Sequence, residues 1–174
     1  SVDENIRKIM KKEIPLESYI QVNKLMNKYN IESHNSCMIG MPGETMETIR
    51  KTLAFLRKSR DIKQANLSIA IPYPGTELYK MAKNKEYGLE LLSEDFTKYK
   101  RYNSAVMRVG DFTPEDLIDL QNEAIASIYL APWRWWPMFK KQGFMGFYIT
   151  LRRLIKVILR GHPRFLTNKQ LGLK

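Results

Sequence analysis

The residues of this chain that could serve chemistry gather at two glycine turns. The first closes Ser36-Cys37-Met38-Ile39-Gly40-Met41-Pro42-Gly43-Glu44-Thr45, an apolar run that reads as a strand and breaks at Pro-Gly before a helix. The second follows Asn66 to Ile71, in Pro72-Tyr73-Pro74-Gly75-Thr76, one helix length later. Strand, helix and strand in that order make a parallel βαβ unit, whose exits share one sheet edge, and α/β proteins bind ligands at that edge. Gly40 and Gly43 permit close approach of backbone, and Met38 offers an apolar contact if it faces a ligand. The same glycines also serve a turn with no ligand. Glu44 stands at a helix start, where the dipole favours an anion, so either a capping or a ligand role suits it.

The remaining reactive side chains are sparse. Cys37 is the sole cysteine; inside an apolar strand it reads as a small buried hydrophobe, with a redox thiol as the bolder alternative. His34 precedes the strand and reads as a satisfied strand residue, and His162, in Gly161-His162-Pro163, reads as loop. No Ser/His/Asp, paired-carboxylate or zinc spacing occurs. One cysteine excludes a disulfide framework and fits a reducing, cytoplasmic interior.

Helices and strands must position these turns. A short helix is expected over Asp3 to Lys12, with Ser1 and Glu4 as a capping box. Pro15 opens a second helix to about Tyr29, whose Tyr19, Val22, Leu25, Met26 and Tyr29 recur at helical spacing to cover a sheet. Strands are expected at His34 to Met41 and Asn66 to Ile71. Between them Thr45 caps a helix with Ile49, Leu53 and Leu56 inward and Arg50, Lys51, Arg57 and Lys58 outward. Thr76 caps a helix over Glu77 to Lys83. Ser93 to Met107, with Phe96, Tyr99 and Tyr102, reads as irregular. Thr113-Pro114-Glu115-Asp116 starts a helix striped with Leu117, Leu120, Ala124 and Ile128, which Pro132 stops.

Charge is unevenly placed, which implies two parts with different surroundings; residues 1–110 and 111–174 are read as those parts. The net charge is +11, yet the 18 acidic residues all lie at or before Glu123. Beyond it stand ten Lys and Arg. There Trp133, Trp135 and Trp136 are flanked by Pro132 and Pro137, and a helix from about Phe144 to Arg160 sets Phe147, Tyr148, Leu151, Leu154, Ile155 and Ile158 against Arg152, Arg153, Lys156 and Arg160. This is the composition of a membrane-surface segment over 131–174. A helix packing on another part of the protein fits equally, and a nucleic-acid face fits less well because no RNA-binding signature accompanies the charge. No apolar stretch reaches the ~18 residues of a transmembrane helix.

The two turns together resemble the second half of a radical S-adenosylmethionine barrel. The family's fifth-strand pattern, close to Gly-x-Ile-x-Gly-x-Pro-Gly-Glu, is matched by Ser36, Met38, Gly40, Pro42, Gly43 and Glu44, with Ser36 and Met38 departing from it. Pro72 to Tyr79 is most similar to the sixth-strand exit of the subgroup that carries a cobalamin-binding domain. The resemblance implies the C-terminal part of a partial (β/α)6 barrel over 1–110, followed by an all-helical extension. It implies S-adenosylmethionine as cofactor, with its adenine lined by Met38, Ile39 and Gly40 and flanked by Ile71 and Pro72, while Pro42, Gly43 and Glu44 complete the rim. It further implies a [4Fe-4S] cluster held by cysteines in a missing N-terminal half, cobalamin as a further cofactor, and a 5′-deoxyadenosyl radical acting on a small-molecule or lipid-like substrate by methyl transfer or cyclisation. A radical methylthiotransferase acting on transfer RNA is the second enzymatic expectation and demands a β-rich C-terminal domain. A basic membrane-peripheral module is the non-enzymatic one.

Overall fold

The computed structural model describes residues 1–160, except the side chains of Pro137, Lys141, Gln142, Arg153, Leu154, Val157, Ile158 and Arg160. His162 and the rest of 161–174 lie outside the described residues. The elements begin with α1 (Glu4–Ile9), α2 (Leu16–Lys28), β1 (His34–Ile39), α3 (Met46–Lys58) and β2 (Gln64–Ile69). They continue with α4 (Glu77–Lys83), β3 (Leu89–Leu91), β4 (Met107–Val109), α5 (Pro114–Tyr129) and α6 (Trp135–Arg160).

β1 and β2 pair in parallel, His34 opposite Gln64 and Ile39 opposite Ile69. Both strands stop two residues before their expected ends, because Gly40 turns left-handed at φ 81° and ends the ladder. β3 and β4 form a separate antiparallel pair. These three-residue strands are too short for alternation to reveal, and β4 begins at the last residue of the stretch expected to be irregular. Neither sheet closes into a barrel.

Alternation along β1 sends Asn35, Cys37 and Ile39 to one face and Ser36 and Met38 to the other. The first face joins Leu67 and Ile69 of β2 in a core completed by Ile49, Leu53 and Leu56 of α3 and Leu117, Leu120, Ala124 and Ile128 of α5. α5 therefore shares its core with residues before 110. Gln121, one turn beyond Leu117, donates from Nε2 to Leu67 O at 2.9 Å and Arg101 O at 3.1 Å, and its Oε1 accepts from Asn103 N at 3.1 Å. Arg101 O also accepts from Ile69 N at 3.3 Å, so the aromatic stretch runs along the outer edge of β2.

Capping explains the helix starts. Thr45 and Thr113 each form a capping box, with Thr48 and Asp116 respectively. Thr113→Ala should cost about 1 kcal/mol, read as a lowered urea midpoint with unchanged slope; an unchanged midpoint would remove the capping argument. α1 differs from expectation: Asp3 caps it, Oδ1 accepting from Asn5 N at 3.1 Å and Ile6 N at 3.4 Å. Ser1 lies two residues too early to cap this helix and instead bonds Thr52.

α2 also corrects its expected face. Val22, Leu25 and Tyr29 are exposed, whereas Asn23 is buried. A polar network chooses the orientation: the Asn35 amide donates to Asn23 Oδ1 at 3.0 Å and Ser33 Oγ at 3.1 Å, and Tyr19 OH donates to Asn35 Oδ1 at 2.6 Å. A buried amide without partners is expensive, so satisfying Asn35 outweighs covering three apolar side chains. α6 begins nine residues earlier than expected and is broken at Gly143, φ 65° and ψ −176°. The chain beyond α5 is helical as far as it is described, so no β-rich segment of the kind the transfer-RNA reading expects lies among the described residues.

Candidate functional site

The parallel register brings the two turns to one end of the β1/β2 sheet. Ile39 O accepts from Ala70 N at 2.8 Å, so residues 40–44 and 70–73 leave the sheet side by side. Gly40 at φ 81° and Gly43 at φ 72° occupy the left-handed region, where any other residue is strained. A Cβ on Gly40 would meet only Leu117 and Ala70 at ordinary contact distance. The glycine there answers a backbone conformation, not a crowded approach.

Glu44 is drawn into this turn. It is only 4% exposed, and one carboxylate oxygen, Oε2, accepts from Gly40 N at 2.7 Å and Met41 N at 3.3 Å. Burial pushes its pKa from 4.5 up to about 7, against the pull of the Met41 and Gly40 amide donors. Glu44 thus binds the first strand exit into a fixed loop, and the Gly40 N–H is spent inside the protein.

The other expected site residues divide by exposure. Ile39 is buried with its side chain in the core, Pro42 and Pro72 are buried, Ile71 is half-buried, and Gly43 is exposed. Met38 is 38% exposed, on the sheet face away from the core. A cleft of about 290 Å³ adjoins it along β1, lined by Ser36, Cys37, Tyr19 and Phe55, with Arg7 and Lys12 also bordering it. Burial pushes the Cys37 thiol up, and it pushes the Tyr19 hydroxyl up to about 12. Both stay protonated near neutrality, so Cys37 does not present a thiolate.

Several positioning residues were not visible in sequence. The Asn66 amide donates to the Tyr102 hydroxyl, and Tyr99 packs against Tyr73 and Phe96 with ring centroids 5.9 and 5.2 Å apart. These contacts set the aromatic stretch beside the second strand exit. Gln121 alone carried a signal, as a polar residue within the otherwise apolar stripe of α5. His34 bonds Gln64 on the neighbouring strand and takes no part in the rim.

No family model matches the chain. A curated protein of Pyrococcus horikoshii, named an uncharacterized methyltransferase, is 32% identical over 160 residues, covering 92% of this chain and 33% of the relative. The chain spans about a third of the length of the relative it matches. These findings correct the resemblance to cobalamin-type radical S-adenosylmethionine proteins. The protein similar along nearly the whole chain is named only as a methyltransferase, and among the described residues no group of three or more His, Cys, Asp and Glu is placed to hold a metal ion. The expectations of a radical enzyme, an iron–sulfur cluster, cobalamin and metal binding fall with it. The resemblance rested on Pro-Gly turns, and such turns also suit a strand that reverses into a capped helix, whatever the chemistry.

Proposed function

We propose that this chain forms part of a methyltransferase and contributes one wall of the site for the methyl donor, S-adenosylmethionine. The observation that carries the reading is the shared rim of the two strand exits, with exposed Met38 two residues before the first of them and a cleft that runs back from Met38 along β1, taken with the name of the relative. An adenosine needs an apolar surface for its ring and a small enclosed volume, and ligand sites begin at roughly 300 Å³. The cleft suits a nucleoside rather than donor and acceptor together. With a third of the relative's length matched, the chain supplies a wall and not the whole site.

When bound, the donor supplies an electrophilic methyl carbon on a sulfonium sulfur, which keeps the bonding electron pair as a thioether once a nucleophile has taken the methyl. The residues of this chain bind and orient. Met38 packs against the adenine, the main chain of Ile71 and Pro72 flanks it, and Arg7 and Lys12 favour the donor's carboxylate. Gly40, Pro42, Gly43 and Glu44 act at one remove by holding the rim in shape. The acceptor in this reading is a small-molecule or lipid-like substrate.

Titration of the ¹⁵N-labelled chain with S-adenosylmethionine tests the reading. Amide shifts are expected at residues 36–44 and 70–73, and Met38→Glu, an exposed change, should weaken binding by roughly tenfold or more by setting a carboxylate against the ring. Shifts confined to other regions, or none at millimolar donor, would overturn it.

A further inference from the structure

We propose that α6 is a docking surface for anionic lipid bilayers and lies in the membrane interface. No helix among the described residues is long and apolar enough to cross a membrane, so the contact is with the surface. The inference does not depend on the methyl-transfer reading.

Beyond Gly143, Phe144, Tyr148, Ile155 and Leu159 follow one another at four, seven and four residues, which aligns them on one stripe of the helix. None of these four is covered: Phe144 is 75% and Leu159 80% exposed, with Tyr148 and Ile155 near half. Helical spacing sets Arg152 and Lys156 along one border of this stripe, and both are exposed. A soluble surface places single apolar residues among charges; a continuous apolar stripe edged by cations is the pattern of an interfacial helix.

The segment before Gly143 adds to the same character. Trp136 is 65% exposed and stacks on Phe139 at 6.3 Å, with Lys140 5.9 Å over its ring. Phe147 reaches back across the break to Phe139 at 5.8 Å and Trp135 at 6.4 Å. The two arms of α6 therefore pack together through an aromatic cluster. Trp135 Nε1 donates to Tyr129 O at 3.0 Å, tying the cluster to the end of α5. Exposed tryptophan sits favourably at headgroup depth, where one part of the ring is wet and the other apolar.

Charge selects the occupant. Every acidic residue lies at or before Glu123, so the sequence of this segment carries positive charge alone. An anionic bilayer complements both the cations and the apolar stripe. A second copy of the chain would set like charges against one another, and a nucleic acid would leave Phe144 and Leu159 in water.

Flotation of the full chain with vesicles checks this. Binding is expected to phosphatidylcholine vesicles containing 30% phosphatidylglycerol, with a blue shift of tryptophan emission, and not to phosphatidylcholine alone. Lys140→Gln, Arg152→Gln and Lys156→Gln together should weaken partition on the order of a hundredfold, at several-fold per cation, and reduce its salt dependence. Phe144→Ser with Leu159→Ser should also weaken it while leaving the circular dichroism of the body intact. Equal binding to neutral vesicles, absence of partition, or full retention by the charge variant would overturn the proposal. So would a concentration-dependent dimer lost on Phe144→Ser, or duplex binding lost in the charge variant, where vesicles are ignored.

Discussion

Glu44→Gln should abolish much of the loss of stability expected of the wild-type protein as pH rises from 4.5 to above 7. The carboxyl is buried against the first strand exit, and burial lifts its pKa from 4.5 to about 7 even though two backbone amides donate to it. The folded state therefore holds this proton more tightly than the unfolded chain. Stability from it is full below about pH 4.5, declines as pH rises through about 7, and is lost above that. The difference is on the order of 3 kcal/mol. Glutamine keeps an acceptor for Gly40 N and Met41 N and has nothing to ionise. Urea midpoints at pH 5 and pH 8.5 should diverge for the wild type and converge for Glu44→Gln, other titrations being common to both. Parallel pH profiles for the two proteins would show that Glu44 is not the group responsible.

Arg134→Ala should be the most damaging single change outside the apolar core, at roughly 2–4 kcal/mol. Arg134 is fully buried, and among the described residues no carboxylate is bonded to it. Its Nη2 donates to Leu56 O at 2.6 Å, and Nη1 reaches Lys63 O at 3.5 Å. The guanidinium lies 4.3 Å over the Trp133 ring and 5.9 Å over that of Tyr129. Burial lowers its pKa to about 10, which leaves it charged at neutrality. One side chain thus fastens the last turn of α3 and the approach to β2 onto the start of α6. Alanine would leave the Leu56 carbonyl unpaired and open a void between aromatic rings. Arg134→Lys should recover only part of the loss, since an ammonium cannot reproduce the planar fork and its stacking. A calorimetric Tm for Arg134→Ala within a degree of wild type would refute this account. If the variant does not fold, the ordering of Arg134→Lys below wild type still decides it.

The two expectations meet at one principle: buried ionisable side chains in this protein fasten chain segments through backbone hydrogen bonds. Glu44 closes a turn upon itself, and Arg134 ties elements distant in sequence. Both sit on backbone groups, where a charged partner makes the stronger hydrogen bond. Neither stands alone in apolar surroundings, which is what makes its burial tolerable.

The starts of α3, α4 and α5 were legible in the sequence, because a cap acts within three or four residues of itself, whereas the cap of α1 and the start of α6 were not. Thr45, Thr76 and Thr113 each accept from a backbone N–H at their helix start as their local sequence requires. The parallel pairing of β1 with β2 was equally legible, since a strand, a helix and a strand of these lengths leave few other arrangements. The apolar faces of α3 and α5 followed from their period. The face of α2 did not, and neither did the burial of Arg134. In both cases a polar side chain finds partners more than ten residues away, and no local pattern encodes such a meeting.

The candidate rim shows the same division. That two glycine turns close strands at one sheet edge is set by the order of the residues, because each turn is a local conformation and parallel strands must exit together. Which side chains remain available there was decided only when the chain was packed: Met38 faces outward, Ile39 enters the core, and Glu44 turns its bonded oxygen to the amides of Gly40 and Met41. Burial of Ile39 depends on neighbours brought in from α3 and α5, and only the three-dimensional packing supplies them.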